Sequence, residues 1–190
     1  MATASNVTAG KPNMTSGAVH YGATNLTMPT SANGSLASGF KDVGYISDAG
    51  VTNSNTRNSD QVKAWGGDVV LNPQTEKLDR FSFTMIEILN TDVLKAVHGA
   101  ANVSGTLSDG IAVNVNSKEL DYNAWIIDMV LKGGVLHRIV IPNAKIVEVA
   151  DVTYTDNGAT GYQITLSAEP DSSGNTHYEY FKSAASGGSS

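Results

Sequence analysis

Trp125-Ile126-Ile127-Asp128-Met129-Val130-Leu131-Lys132-Gly133-Gly134-Val135-Leu136-His137-Arg138-Ile139-Val140-Ile141 is the stretch on which the fold turns. Trp125, Ile127, Met129 and Leu131 all point one way if the chain is extended, a period of two that marks a strand. Gly133-Gly134 supplies the backbone freedom of a two-residue reversal, and Val135–Ile141 returns as the second strand of a hairpin. The alternation predicts that Trp125 is buried. Pro142-Asn143 is expected to break the return strand, because proline has no amide for a ladder.

Downstream the same grammar repeats. Lys145–Tyr154 reads as a strand, Asp156-Asn157-Gly158 as a turn, and Tyr162, Ile164, Leu166 and Ala168 alternate with Gln163, Thr165 and Ser167. Pro170–Gly174 turns again toward a last strand through Tyr178, Tyr180 and Phe181. Upstream, Ile111–Val115 is a strand, and Phe81, Phe83 and Met85 share one face of another that ends near Ile88. Between them lies one helix, Thr91–His98. Asn90 is its N-cap, Asp92 sits in its first turn, Val93, Leu94 and Val97 form its apolar stripe, and Gly99 closes it. Two turns of helix do not stand alone, so it must pack on a sheet.

Nearer the start, Gly17–Met28 reads as a first strand and Pro29–Gly39 as a loop. Lys41–Ser47 and Val51–Asn55 read as short strands flanking a turn at Asp48–Gly50, and Val69–Leu71 as another before Pro73–Thr75 breaks it. Thr52–Gln61 is polar and poor in glycine, and is expected as an exposed loop or a protruding hairpin. Strands and turns at this spacing predict a mainly β, antiparallel two-sheet sandwich or barrel with one short helix. Residues 17–182 are expected to form that single domain, residues 1–16 a flexible arm of small polar residues, and residues 183–190 a flexible Gly/Ser-rich end.

Composition narrows the function by exclusion. Charged residues make up 16% of the 190, below the usual quarter, which suits a surface destined to be covered by partners. The net charge of −6, with basic residues scattered, argues against a protein that grips phosphates. No apolar run approaches a membrane span, and Met1–Gly10 has no signal-like segment. The absence of cysteine removes disulfides and thiolate chemistry. Nucleotide-binding glycine loops, a nucleophile elbow and an HExxH helix are missing, and no cofactor or metal is expected. His20, His98, His137 and His177 lack metal-ligand spacing, and Asp48, Asp60 and Asp68 do not form a calcium loop. Glu76, Asp79 and Glu87 offer carboxylate pairs of the kind any acidic β protein offers. Trp65, Phe81 and Trp125 read more readily as core or interface anchors than as a sugar platform. No catalytic constellation emerges.

Several whole segments resemble the major tail (tail tube) proteins of long-tailed, siphovirus-like bacteriophages of Gram-positive hosts. They are Gly44-Tyr45-Ile46-Ser47-Asp48-Ala49-Gly50-Val51, Lys63-Ala64-Trp65-Gly66-Gly67-Asp68-Val69-Val70, Asn116-Ser117-Lys118-Glu119-Leu120, Trp125 to Gly134, Arg138 to Ile146 and Pro170 to Tyr180. The resemblance covers roughly three quarters of the chain, from about Val43 to Phe181. It implies a structural β-sandwich subunit, not an enzyme. Six copies would form a ring and rings would stack into a conduit for DNA ejection. It further implies a virion tail location after synthesis in the host cytoplasm, and contacts with tape measure and tail terminator or initiator proteins.

On that resemblance, Thr52, Asn53, Asn55, Arg57, Asp60 and Trp65 become candidates for ring-to-ring contact. Asp68, Glu76, Asp79, Glu87, Asp128 and Glu148 become candidates for a lumen wall that repels DNA over a Debye length, about 8 Å in cellular salt. A type VI secretion-like tube protein and a monomeric carbohydrate- or receptor-binding sandwich are the competing readings; ring and filament formation separates the second from a tube subunit.

Overall fold

The computed structural model describes residues 2–13 and 17–183. Its strands are β1 (Gly10–Pro12), β2 (Val19–Ala23), β3 (Lys41–Asp42), β4 (Ile46–Ser59), β5 (Val62–Lys63), β6 (Val69–Leu71) and β7 (Gln74–Met85). After helix α1 (Thr91–His98) follow β8 (Val103–Thr106), β9 (Gly110–Val113), β10 (Asn123–Leu131), β11 (Leu136–Val149), β12 (Tyr162–Ala168) and β13 (Tyr178–Lys182). All pairings are antiparallel. The main sheet runs β3-β2-β10-β11-β12-β7-β4, with β1 added to β10 and β13 to β11; β5-β6 and β8-β9 are separate hairpins.

The deciding stretch forms the β10–β11 hairpin, with Ile126 opposite Val140 and Asp128 opposite Arg138. Leu131 donates its amide to the Val135 carbonyl at 2.7 Å, so the loop holds three residues, Lys132-Gly133-Gly134, and not the expected two. Gly133 and Gly134 take φ of 85° and 79°, where a side chain is strained.

Pro142 does not break β11. It sits where the strand changes partner: Ile141 still faces Trp125 of β10, whereas Ala144, Ile146 and Val149 face Ala168, Leu166 and Ile164 of β12. The β10 register slips there by one residue, so the proline occupies a bulge and costs no ladder bond.

This handover folds the sheet into two layers. One holds β3, β2, β10, the first half of β11 and β13; the other holds the second half of β11 with β12, β7 and β4. Phe83 of β7 meets Trp125 of β10 edge-on across the interior, with ring centres 5.8 Å apart. Val19, Phe81, Met85, Ile127, Ile141, Ile164 and Leu166 fill the same core. Helix α1 packs Val93, Ala96 and Val97 against it. The Asn90 side chain accepts the Asp92 amide at 3.0 Å, and Gly99 donates to the Lys95 carbonyl. Half-buried Tyr21 donates to the Asp92 carbonyl at 2.9 Å; desolvation, then the Asp92 charge, push its phenol up to about 12.

The outer face of β10 is also buried, a feature alternation does not predict. Ala124, Ile126 and Val140 are sealed from water, because residues 24–40 lie across this face. Leu26 packs so close to Gly22 that a Cβ there would fall 2.7 Å from it. Arg138 holds the covering segment in place. It donates Nη1 to the carbonyls of Ser31 and Gly34 (3.1 and 2.7 Å) and forks onto Asp128 at 2.6 and 2.9 Å.

Residues 8–13, expected in a flexible arm, lie on the chain's own sheet: Gly10–Pro12 pair with Leu131–Met129, and the Lys132 amide donates to Thr8 Oγ1 at 3.0 Å. Met1, residues 14–16 and residues 184–190, the remainder of the expected arm and most of the expected tail, lie outside the described residues.

Candidate assembly surface

Lys41–Ser47 and Val51–Asn55 are not two strands around a turn. β4 is continuous, and Asp48–Gly50 belong to a bulge between Ile46, opposite Met85, and Val51, opposite Phe83. Beyond Ser54, opposite Arg80, β4 and β7 leave the sandwich together as a two-stranded ribbon that runs without interruption to Asn58 opposite Glu76, and ends with Ser59 opposite Gln74. Residues 52–59 and 74–77 are all exposed. Water on both faces explains why this segment is polar throughout and hides its period. Side chains substitute for a core: Asn58 donates to Glu76 at 2.7 Å, Thr75 to the Asn58 carbonyl at 3.3 Å and Arg57 to Gln74 at 3.5 Å. Of the two readings of Thr52–Gln61, the hairpin stands and the loop falls.

The tip is apolar. Asp60 donates its amide to the Pro73 carbonyl, then Val62 faces Leu71 and Lys63 faces Val69. Gly66 and Gly67, at φ of 117° and 101°, turn the chain so that Trp65 stands at the apex. Trp65 is fully exposed, and Val62, Val69, Val70 and Leu71 are each about half exposed or more. From Ser54 to Trp65 the ribbon reaches up to about 36 Å at ~3.3 Å per residue. Asn55, Arg57, Asp60 and Trp65, singled out from sequence, fall on the projecting element, and Thr52 and Asn53 lie at its root within the sheet.

The root of this arm is locked by a polar cluster. Asp79, 1% exposed, accepts from Thr176 Oγ1 and His177 Nδ1 at 2.6 Å each and from Asn53 Nδ2 at 2.8 Å. Burial pushes its carboxyl up, but the Thr176, Asn53 and His177 donors outweigh it and hold Asp79 below the usual carboxylate range. His177 Nε2 lies 3.5 Å from Glu179, whose other oxygen is 2.8 Å from His137 Nε2. The chain of contacts ties β7 to β13. Sequence reasoning missed Thr176, His177 and Glu179; the available signal was an acid, Asp79, on the same strand parity as Phe81 and Phe83.

The six candidate lumen acids do not form one set. Asp79 and Asp128 are removed from it, because both are buried and engaged by named donors. Glu87 is half-buried and accepts the Tyr45 amide at 2.9 Å and the Asn90 side chain at 3.3 Å. Asp68 lies at the arm tip and Glu76 on its shaft, both exposed; Glu148 is exposed in a bulge of β11, 3.4 Å from Thr165 Oγ1. Among the described residues no three His, Cys, Asp or Glu are grouped to hold a metal, and no helix is long and apolar enough to cross a membrane.

A closed sandwich that completes its own core and sends out a long ribbon tipped with bare apolar side chains defines a class: a mainly β structural subunit shaped for contact with other chains. The family follows from comparison. A family model described as phage tail tube protein matches residues 8–185, from before β1 to beyond β13, and the chain belongs to that family. It is a structural subunit of a phage tail tube, a component of the virion tail that self-assembles into the tube. No curated protein matches the sequence.

Proposed function

We propose that six copies of the chain close into a ring, that rings stack into a hollow tube, and that the phage genome passes through the bore into the host. The observation that carries the stacking is the arm: among the described residues its apolar tip meets no partner surface, and a continuous ladder holds it away from the body. The sandwich of residues 17–182 acts as a single building block with its core already complete, so assembly requires no refolding.

The bore wall in this reading is the outer face of the β4-β7-β12 layer. The other layer's outer face is covered by residues 24–40, whereas here Thr52 and Ser54 face Ser82 and Arg80, which face Thr165 and Ser167. Hydroxyl groups make most of this surface and give DNA little to grip besides Arg80, and Glu148 adds a carboxylate at its border. Glu76 and Glu148 are the acids that keep phosphates at a distance, whereas Asp68 goes with the arm tip into the stacking contact. The phage is long-tailed with a non-contractile, siphovirus-like tail and a Gram-positive host. The chain is made in that host's cytoplasm. Tape measure protein fills the growing bore, and terminator and initiator proteins cap its ends. The chain carries out no catalysis and needs no cofactor.

Sedimentation at rising concentration tests the ring. A step from 19.8 kDa to six times that mass, followed by much larger species, is expected. The fully exposed Trp65 favours one other reading, a monomeric glycan-binding module. A chain that stays monomeric and binds a glycan through Trp65 would establish that reading instead.

A further inference from the structure

Three contacts between imidazole nitrogens and carboxylate oxygens join the last strand to its neighbours. His177 Nδ1 lies 2.6 Å from Asp79, His177 Nε2 lies 3.5 Å from Glu179, and His137 Nε2 lies 2.8 Å from the other oxygen of Glu179. A carboxylate only accepts, so each contact is a hydrogen bond only where the nitrogen carries a proton. Neutral His137 supplies one from Nε2. Neutral His177 has a single ring proton for two contacts, and Asp79 takes it, because that carboxyl is sealed from water and stays charged near neutrality. His177 Nε2 then turns a lone pair toward Glu179. The distances agree with this count: two contacts are short, and the third is long for a hydrogen bond.

We propose that this cluster is a proton-operated latch, in which protonation of His177 fastens β13 to the root of the arm. The added proton turns the lone pair into a donor, and one ring then bridges two carboxylates, Nδ1–H to Asp79 and Nε2–H to Glu179. The surroundings favour that charge. Among the described residues no lysine or arginine is paired with either carboxylate. On β7, Arg80 alternates to the side opposite Asp79, and Lys77 shares its side but stands out on the exposed shaft. β4 offers uncharged Asn53, and β10 sets uncharged Met129 opposite His137. On β13, Lys182 alternates to the side away from Glu179. Phe81 meets the His177 ring edge-on at 5.2 Å, and Phe181 stacks on His137 at 4.0 Å, so apolar rings flank the contacts.

The proton gains these two acceptors in the folded chain and neither in the unfolded one. The contribution is therefore present in mild acid and is lost as pH rises through the range where imidazole gives up its proton. In stronger acid Asp79 takes up a proton and the latch opens again. The device works within one chain, so it stands whether or not tubes form.

Hydrogen exchange of the dilute chain at about pH 8 and about pH 5.5, corrected for the intrinsic rate, tests it across the imidazole range. The amides of β13 bonded to β11 are expected to gain about fivefold in protection at the lower pH, the upper end for a partly exposed ion pair, while those of α1 stay level. His177→Gln should abolish the gain, and His137→Gln should keep it. Glu179→Gln provides a second comparison should His177→Gln fail to fold: its amide can donate to the Nε2 lone pair unaided, so β13 should be held equally at both pH values. Equal protection at the two pH values in the wild type would overturn the latch. So would a gain that persists in His177→Gln or in Glu179→Gln.

Discussion

Asp128 shows how a single residue changes meaning between sequence and structure. Taken alone it is an acid in an apolar strand and a candidate for a charged wall. Set in the hairpin register it lies opposite Arg138, and the covering segment 24–40 buries the pair to 2% and 4% exposure. The hairpin was legible from Gly133-Gly134, but its register was not: a two-residue turn would set Asp128 opposite Ile139, and the loop's third residue, Lys132, sets it opposite Arg138. Nor was the cover legible, because its hold on the sheet comes from backbone carbonyls of Ser31 and Gly34, which leave no trace in residue type. Arg138→Ala strands a buried carboxylate and is expected to cost about 3–5 kcal/mol in denaturant unfolding, whereas Asp128→Leu with Arg138→Met recovers most of that loss. Asp79 makes a second case. Its carboxyl is held below the ordinary value, so it stabilises the fold above the unfolded-state pKa of about 3.9, and the contribution is lost as pH falls through its folded value. Unfolding free energy should therefore drop more steeply with acid, from about pH 4 downward, in the wild type than in Asp79→Asn. Equal slopes would mean that the Thr176, Asn53 and His177 donors do not hold the charge.

Among the elements, α1 was legible to its end residues, because capping chemistry at Asn90 and Gly99 is local. β11 was not, because a proline inside a strand is tolerated only at a bulge, and the bulge arises from the change of partner from β10 to β12. The arm lies between these cases. Its residues have no buried face, so the period of two that reveals other strands is missing, and only the absence of glycine and the Val62–Leu71 apolar return hint at pairing. The candidate contact residues nonetheless converged on it, since a long polar segment that ends in a tryptophan is conspicuous however it folds. Trp65→Ser removes a fully exposed side chain and should shift monomer stability by no more than about 0.5 kcal/mol. The same change should abolish filaments in electron micrographs. Filaments as long and frequent as those of the wild type would remove Trp65 from the assembly contact.

At the scale of the whole molecule, the sandwich satisfies itself and the surface does not. The core is closed by α1 and two folded-over layers, one outer face is strapped, and what remains open is a hydroxyl-rich sheet face and an apolar tip. Low charge density was the early sign of such a surface, and family membership gives it a purpose. Which faces meet was beyond the reach of the sequence, because it depends on how far β4 and β7 run past the core. The account stands on the arm joining one layer of subunits to the next, and negative-stain electron microscopy of the purified chain at rising concentration tests that most directly. Hollow tubes built of stacked rings are predicted. Single particles of one 19.8 kDa chain at every concentration would contradict it.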